Sequence, residues 1–212
     1  MMSGLIKFPN PYLAGDCEIL HIGGELSPDN LINAYKKGIF PWYSEYDPVL
    51  WWCPLVRHLL FTDNFRIPKS IRKNIRKKGY SITFNKHFNT VIKKCAEVKR
   101  NGQHETWITN DMIDAYIKLH KLGYAYSIEV WQNKGIVGGL YGLQIGNYVC
   151  GESMFHETDN ASDAALIKLL QTAEEKNIGF IDCQVTSDHI FRYGAAQLTR
   201  EFFLNLLYRE LS

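Results

Sequence analysis

The 212-residue sequence has no apolar run approaching the ~18 residues needed to cross a bilayer. Its first twenty residues, MMSGLIKFPNPYLAGDCEIL, lack the basic stretch and uninterrupted apolar core that export requires. A cytoplasmic protein with no membrane partner is expected. Five cysteines, Cys17, Cys53, Cys95, Cys150 and Cys183, are odd in number, scattered and never spaced CxxC, which argues against a disulfide framework or a zinc site. They read as small buried hydrophobes. There is no Walker A sequence, no GxGxxG, no zinc-ligand spacing and no glycine-flanked serine, so ATP use, dinucleotide binding, metal hydrolysis and a hydrolase elbow lack support. No cofactor and no metal are expected. The seven histidines form no cluster and read as structural or surface residues. Internal repeats and low-complexity segments are also missing.

What is present is an ordinary globular composition, 46% hydrophobic and 22% charged, which excludes a disordered chain. The net charge of +2 conceals an asymmetry. Residues 66–100 hold 12 of the 24 basic residues and one acid, Glu97, whereas residues 101–212 hold 8 basic and 14 acidic residues. The first stretch suits a polyanion such as nucleic acid, beyond what solubility asks of a helix face; the second suits a cation.

The first 60 residues are dense in turn formers and aromatics, with Gly23-Gly24 and Phe40-Pro41-Trp42 interrupting any long element. Ser27-Pro28 reads as a cap opening a short helix that Gly38 should end. A domain boundary is expected near residue 60, dividing the chain into 1–60 and 61–212. Beyond it, helices are expected at Lys69–Lys78 ended by Gly79, near Phe88–Val98 and near Asp111–Leu122. Strands at Tyr126–Trp131, Ile136–Gln144 and Asn147–Phe155, joined by hairpin residues, form an antiparallel meander. Asn160 caps a helix to about Lys176, and Gly179–Val185 returns as a strand, giving an α+β class with a mostly antiparallel sheet.

Alternation along Phe180–Val185 puts Ile181, Cys183 and Val185 on one face and Asp182 and Gln184 on the other, a face that is either merely solvated or a site. Glu152, between Cys150 and Met154, is costly to bury unpaired; it either pairs with a base or receives an amine. Tyr35, Phe40, Trp42, Tyr43, Trp51, Trp52 and Trp107 offer stacking surfaces if they are not core.

Eight motifs in order resemble the leucyl/phenylalanyl-tRNA-protein transferase family over nearly the whole chain. They are Phe8-Pro9-Asn10-Pro11, Gly23-Gly24-Glu25-Leu26-Ser27-Pro28, Ala34-Tyr35-Lys36-Lys37-Gly38-Ile39-Phe40-Pro41-Trp42, Leu50-Trp51-Trp52, Thr106-Trp107-Ile108-Thr109, Ser127-Ile128-Glu129-Val130-Trp131, Gly151-Glu152-Ser153-Met154-Phe155 and Ile181-Asp182-Cys183-Gln184-Val185. The resemblance implies a small N-terminal domain and a larger GNAT-like (acyl-CoA N-acyltransferase-like) domain. It implies transfer of Leu or Phe, and more weakly Met, from Leu-tRNA or Phe-tRNA to proteins beginning with Arg or Lys, marking them for degradation by the N-end rule. It implies Asp182 and Gln184 as catalytic residues with Glu152 holding the substrates, Tyr35 and Trp42 near the terminal adenosine, and Trp107 and Tyr116 on the neighbouring surface. Leu140, Val149, Met154, Leu166, Leu169 and Ile181 fall in the donor side-chain pocket, with Ser187 beside it; Leu140, Val149 and Leu169 stand where Met or Phe is expected. Arg66, Lys69, Arg72, Lys73, Arg76, Lys77 and Lys78 become the tRNA contacts. A monomer is expected.

An aminoacyl ester is already activated, so aminolysis needs a deprotonated amine held against the carbonyl and no ATP. One expectation has Asp182 polarise Gln184, whose carbonyl positions the amine; the other makes the enzyme a positioning device in which the terminal ribose hydroxyl moves the proton. Two further classes are an acetyl-CoA enzyme, for which no [QR]xxGx[GA] loop is present, and a non-catalytic RNA-binding protein.

Overall fold

Ser27 opens the first helix as its composition demands. Its hydroxyl accepts the Asn30 N–H, Pro28 takes the first turn, and α1 runs Pro28–Tyr35. The helix ends three residues ahead of Gly38, whose φ of 73° turns the chain instead. The computed structural model describes residues 4–98, 106–185 and 187–211; Lys99 and Arg100, the last cations of the basic stretch, lie outside the described residues.

Around α1, β1 (Ile19–Ile22), β2 (Phe40–Pro41) and β3 (Leu50–Trp52) pair as a three-stranded sheet ordered β1-β3-β2. Buried Asn30 ties this region together, accepting the Ile6 N–H and donating to the Glu25 carbonyl. β4 (Val56–Phe61) crosses the boundary expected near residue 60 and belongs to the large sheet.

The basic helix α2 (Lys69–Lys78) ends on Gly79 in the left-handed conformation, and its last turn carries Arg76, Lys77 and Lys78 against the helix C-terminus. Only Ile71 is fully buried; that burial stabilises the docked helix by about 1.5–3 kcal/mol. β5 (Ser81–Phe84), α3 (Phe88–Ala96) and α4 (Asn110–Lys121) follow, α4 capped by Thr109. The start of α3 is secured from a distance, because the buried Glu129 carboxylate accepts the His87 N–H along with the Thr83 and Ser127 hydroxyls.

The antiparallel meander is present as β6 (Ala125–Gln132), β7 (Gly135–Ile145) and β8 (Tyr148–His156). Asn133 and Lys134, both at positive φ, make the two-residue turn that right-twisted strands favour. α5 (Ala161–Glu175) crosses over to β9 (Phe180–Asp182), which pairs parallel with β8; α6 (Asp188–Phe191), β10 (Ala196–Thr199) and α7 (Arg200–Leu211) complete the chain. Asn160 precedes α5 in a left-handed conformation without capping it; its amide donates to Asp163 instead. The seven strands order as β10-β4-β9-β8-β7-β6-β5, and β8/β9 is the parallel pair.

Alternate residues of the central strands feed two cores. Leu59, Tyr141, Leu143 and Phe180 pack with α3, α4, α7 and the first 53 residues, while Leu60, Leu140, Val149 and Ile181 pack with α2 and α5. Cys53, Cys95 and Cys150 are buried as expected, but Cys17 is exposed and Cys183 half-buried. Among the described residues no helix is long and apolar enough to cross a membrane.

Candidate active site

The site arises from where β8 and β9 part. Their parallel pairing covers only Val149↔Ile181 and Cys150↔Asp182, after which β8 runs on to His156 and β9 stops. The expected strand to Val185 therefore ends three residues early, and Gln184, at φ 59°, swings the chain away. The gap opens a cavity of about 620 Å³ that is walled from both cores. Leu140, Met154, Leu166, Leu169 and Ile181 contribute aliphatic groups to its lining, Phe40, Trp42 and Trp107 aromatic rings, and His156, Ser162, Ser187 and His189 polar groups.

A β-bulge sits at this gap. Tyr141 pairs with Ser153 and Gly142 with Gly151, so Glu152 is the extra residue, re-aimed out of simple alternation. Gly142 permits it: a Cβ there would lie 2.0 Å from the Cys150 carbonyl oxygen and 2.6 Å from the Tyr126 hydroxyl.

Glu152 is buried, and among the described residues no cation pairs with it. Its Oε1 accepts from Tyr35 Oη at 2.8 Å, Gln184 Nε2 at 2.7 Å and Cys150 Sγ at 3.3 Å, and its Oε2 from Tyr116 Oη at 3.3 Å. The Tyr35 and Tyr116 hydroxyls lie 2.5 Å apart. Burial pushes the Glu152 carboxyl above its ordinary value, opposed by the hydrogen bonds from Tyr35, Cys150 and Gln184, with nearby Asp182 adding to the rise. Because Gln184 Nε2 must face the carboxylate, its carbonyl is the amide atom left for the cavity.

Of the two readings of the Asp182 face, merely solvated or a site, the solvated one does not hold. Asp182 is wholly buried, outside the cavity lining, and forms a forked ion pair with equally buried Arg57. Burial works against the Arg57 charge, but the Asp182 carboxylate outweighs it and pushes the guanidinium above its ordinary value. Tyr35 and Tyr116 are likewise buried behind Glu152, so Tyr116 lies beneath the cavity and not on a neighbouring surface. Val149 sits in the core under the pocket without lining it.

Arg57, Tyr148, His156, Ser162 and His189 do not stand out as site residues in the sequence, and Cys183, expected to be a buried hydrophobe, lines the cavity. Arg57 had a signal: a lone cation inside the apolar run 56–61 calls for a buried acid, and Asp182 sits in a similar run.

On α2, Lys69, Arg72, Lys73 and Arg76 are exposed at helical spacing opposite Ile71, with Arg66 and Lys77 exposed and Lys78 half-buried. The Asn74 amide and Tyr80 hydroxyl bond to Thr158, Asp159 and Asn160, the link between His156 and Ser162 of the cavity wall. The cationic helix is therefore tied to the segment that joins two residues of the cavity wall.

The family model described as leucyl/phenylalanyl-tRNA protein transferase matches residues 59–208, and that of the same family's N-terminal domain matches residues 24–55. The leucyl/phenylalanyl-tRNA–protein transferase of Lawsonia intracellularis is 50% identical over 200 residues, 94% of this chain and 88% of that protein. The Flavobacterium johnsoniae protein of the same name is 47% identical over 200 residues, 94% of each chain. Among solved structures, FemX shares the fold with a TM-score of 0.50 at 13% identity, covering 81% of this chain and 66% of FemX.

Proposed function

Since the chain belongs to the leucyl/phenylalanyl-tRNA protein transferase family, aminoacyltransferases that act from tRNA onto protein, we propose that it moves Leu or Phe, and Met more weakly, from its tRNA to the α-amino group of proteins beginning with Arg or Lys, marking them for degradation in the cytoplasm. The observation that carries this reading is the joining, in one cavity, of an apolar wall to a carboxamide whose carbonyl is aimed by Glu152.

In this reading the donor side chain rests against Leu140, Met154, Leu166, Leu169 and Ile181, beside Ser187. Trp42 and Trp107 offer aromatic faces to the terminal adenosine. The small N-terminal domain ends before β4 and supplies Trp42, and the chain from β4 onward acts as the GNAT-like catalytic domain. The acceptor amine, with an ordinary pKa of about 7.7–8, binds in its neutral form. Its N–H donates to the Gln184 carbonyl, which aims the nitrogen at the ester. The N–C bond forms as the ester C–O bond breaks, and the amine proton leaves with the terminal ribose oxygen. Positioning of this kind supplies much of the rate without a cofactor. Arg66, Lys69, Arg72, Lys73, Arg76, Lys77 and Lys78 hold tRNA phosphates, and the chain acts as a monomer.

The test is transfer of radiolabelled leucine from Leu-tRNA, and phenylalanine from Phe-tRNA, to a protein beginning with Arg, using purified chain without ATP. Label on that acceptor, but not on its copy beginning with Ser, supports the reading. No transfer from either tRNA defeats it and leaves an RNA-binding protein.

A further inference from the structure

Asp182 has no lone pair to spare. Its Oδ1 accepts from Arg57 Nε at 2.8 Å and from the Gln184 main-chain N–H at 2.8 Å. Its Oδ2 accepts from Arg57 Nη2 at 2.7 Å and from the Tyr148 hydroxyl at 2.5 Å. Four donors fill the capacity of a carboxylate. The guanidinium is itself fixed: Nη1 donates to the Gly38 carbonyl at 3.0 Å, and the Phe40 and Phe203 rings cover it at 4.8 and 4.3 Å. The acid lies behind the cavity wall, where a substrate amine does not touch it. What it reaches is the backbone of Gln184, held at φ 59° in a left-handed conformation that glutamine rarely adopts.

We propose that Arg57 and Tyr148 are positioning residues that lock the Asp182 carboxylate, so that it pins the Gln184 main chain in its left-handed turn and acts through that turn, not as a base. The inference rests on the reading that Gln184 presents its carbonyl to the acceptor amine. The lock joins separate segments: Gly38 and Phe40 before β4, Arg57 in β4, Tyr148 in β8, Asp182 in β9 and Phe203 in α7. Each donor lost from the carboxylate loosens its hold on the Gln184 N–H, and the carboxamide then spends less time facing Glu152. Asp182→Asn is a poor probe, because it strands the buried Arg57 charge and threatens the fold.

Tyr148→Phe removes one hydroxyl and keeps the ring. Its expected effect is a fall in kcat for leucyl transfer of about tenfold, the size of one hydrogen bond to a charged group. KM for Leu-tRNA stays close to wild type, Tm falls by only a few degrees so that the variant is folded at assay temperature, and the pH–rate profile is scaled down without change of shape. Exchange of the Gln184 amide hydrogen speeds up. A pH–rate profile that changes shape overturns the proposal, as does wild-type kcat or an unchanged Gln184 exchange rate in the variant. Should the wild-type chain transfer nothing, the aminoacyl-transfer reading fails, and the exchange rates still decide whether Tyr148 and Asp182 pin Gln184.

Discussion

Gln184 Nε2 donates to Glu152 Oε1 at 2.7 Å, and this bond decides which end of the carboxamide the cavity meets. Gln184→Ala removes the carbonyl without exposing a buried charge, since Glu152 keeps its tyrosine and cysteine donors. We expect kcat to fall by about 100-fold or more with Tm nearly unchanged, the scale of loss when a reacting group is misplaced by about 1 Å. Single-turnover transfer from Leu-tRNA checks it, and a loss under threefold sinks the assignment.

The same bond predicts an unusual pH response. A protonated Glu152 can donate to the Gln184 carbonyl, so the amide loses its fixed orientation and activity falls. Since the Glu152 carboxyl is raised chiefly by burial, this happens above the ordinary carboxylate value of about 4.3. Below the raised value kcat/KM should drop by nearly two powers of ten per pH unit, one from the acceptor amine and one from Glu152. Glu152→Gln should restore a slope of one. Stability runs the other way. A raised carboxyl favours the fold below its unfolded value, and that contribution is lost as pH rises through the folded one. The Tm of wild type relative to Glu152→Gln should therefore rise as pH falls through this window. Calorimetry with rate profiles tests both signs.

Much of the fold was legible because its signals are local. The Ser27 cap, Gly79 ending α2, the Asn133-Lys134 turn and the period-two strands of the meander each need only a few neighbouring residues. The site was legible as a set of residues but not as an arrangement. Whether the Asp182 face was solvated or a site stayed open because its partner Arg57 lies 125 positions away. The bulge that re-aims Glu152 and the parting of β8 from β9 depend on register between strands, which no single strand states.

Gly142 tests that register. A Cβ at 2.0 Å from a main-chain oxygen cannot be absorbed by a side-chain shift. Gly142→Ala should cost about 3 kcal/mol, or roughly 6–12 °C in Tm, and should also lower kcat by misplacing Glu152. A Tm within 2 °C of wild type would show that the bulge tolerates a methyl group.

Lys73 and Arg76 lie on the exposed cationic face of α2, away from the reacting groups. Replacing both by Ala should weaken tRNA binding and lower the slope of log Kd against log salt by about 1.5. At saturating tRNA, kcat should hold. A salt titration by filter binding measures the slope, and an unchanged slope would place the tRNA elsewhere.

Met154 governs donor choice in this reading. The apolar wall is otherwise aliphatic and branched, with Leu140, Leu166, Leu169 and Ile181 sharing the packed core of α5, so truncating any of them costs stability as well as shape. Met154 is only partly buried and has an unbranched side chain that yields space at lower cost. Met154→Ala should admit the larger phenylalanyl group while leaving leucine with fewer contacts. A few methylenes of pocket shape are worth about 1–3 kcal/mol of discrimination, so the Phe-to-Leu ratio of kcat/KM should rise by about tenfold or more. Competition between differently labelled Leu-tRNA and Phe-tRNA in one reaction reads that ratio directly, free of differences in active enzyme. A ratio that stays put would mean that the donor side chain lies against the aromatic wall of Trp42 and Trp107, exchanging the places assigned here to amino acid and adenosine.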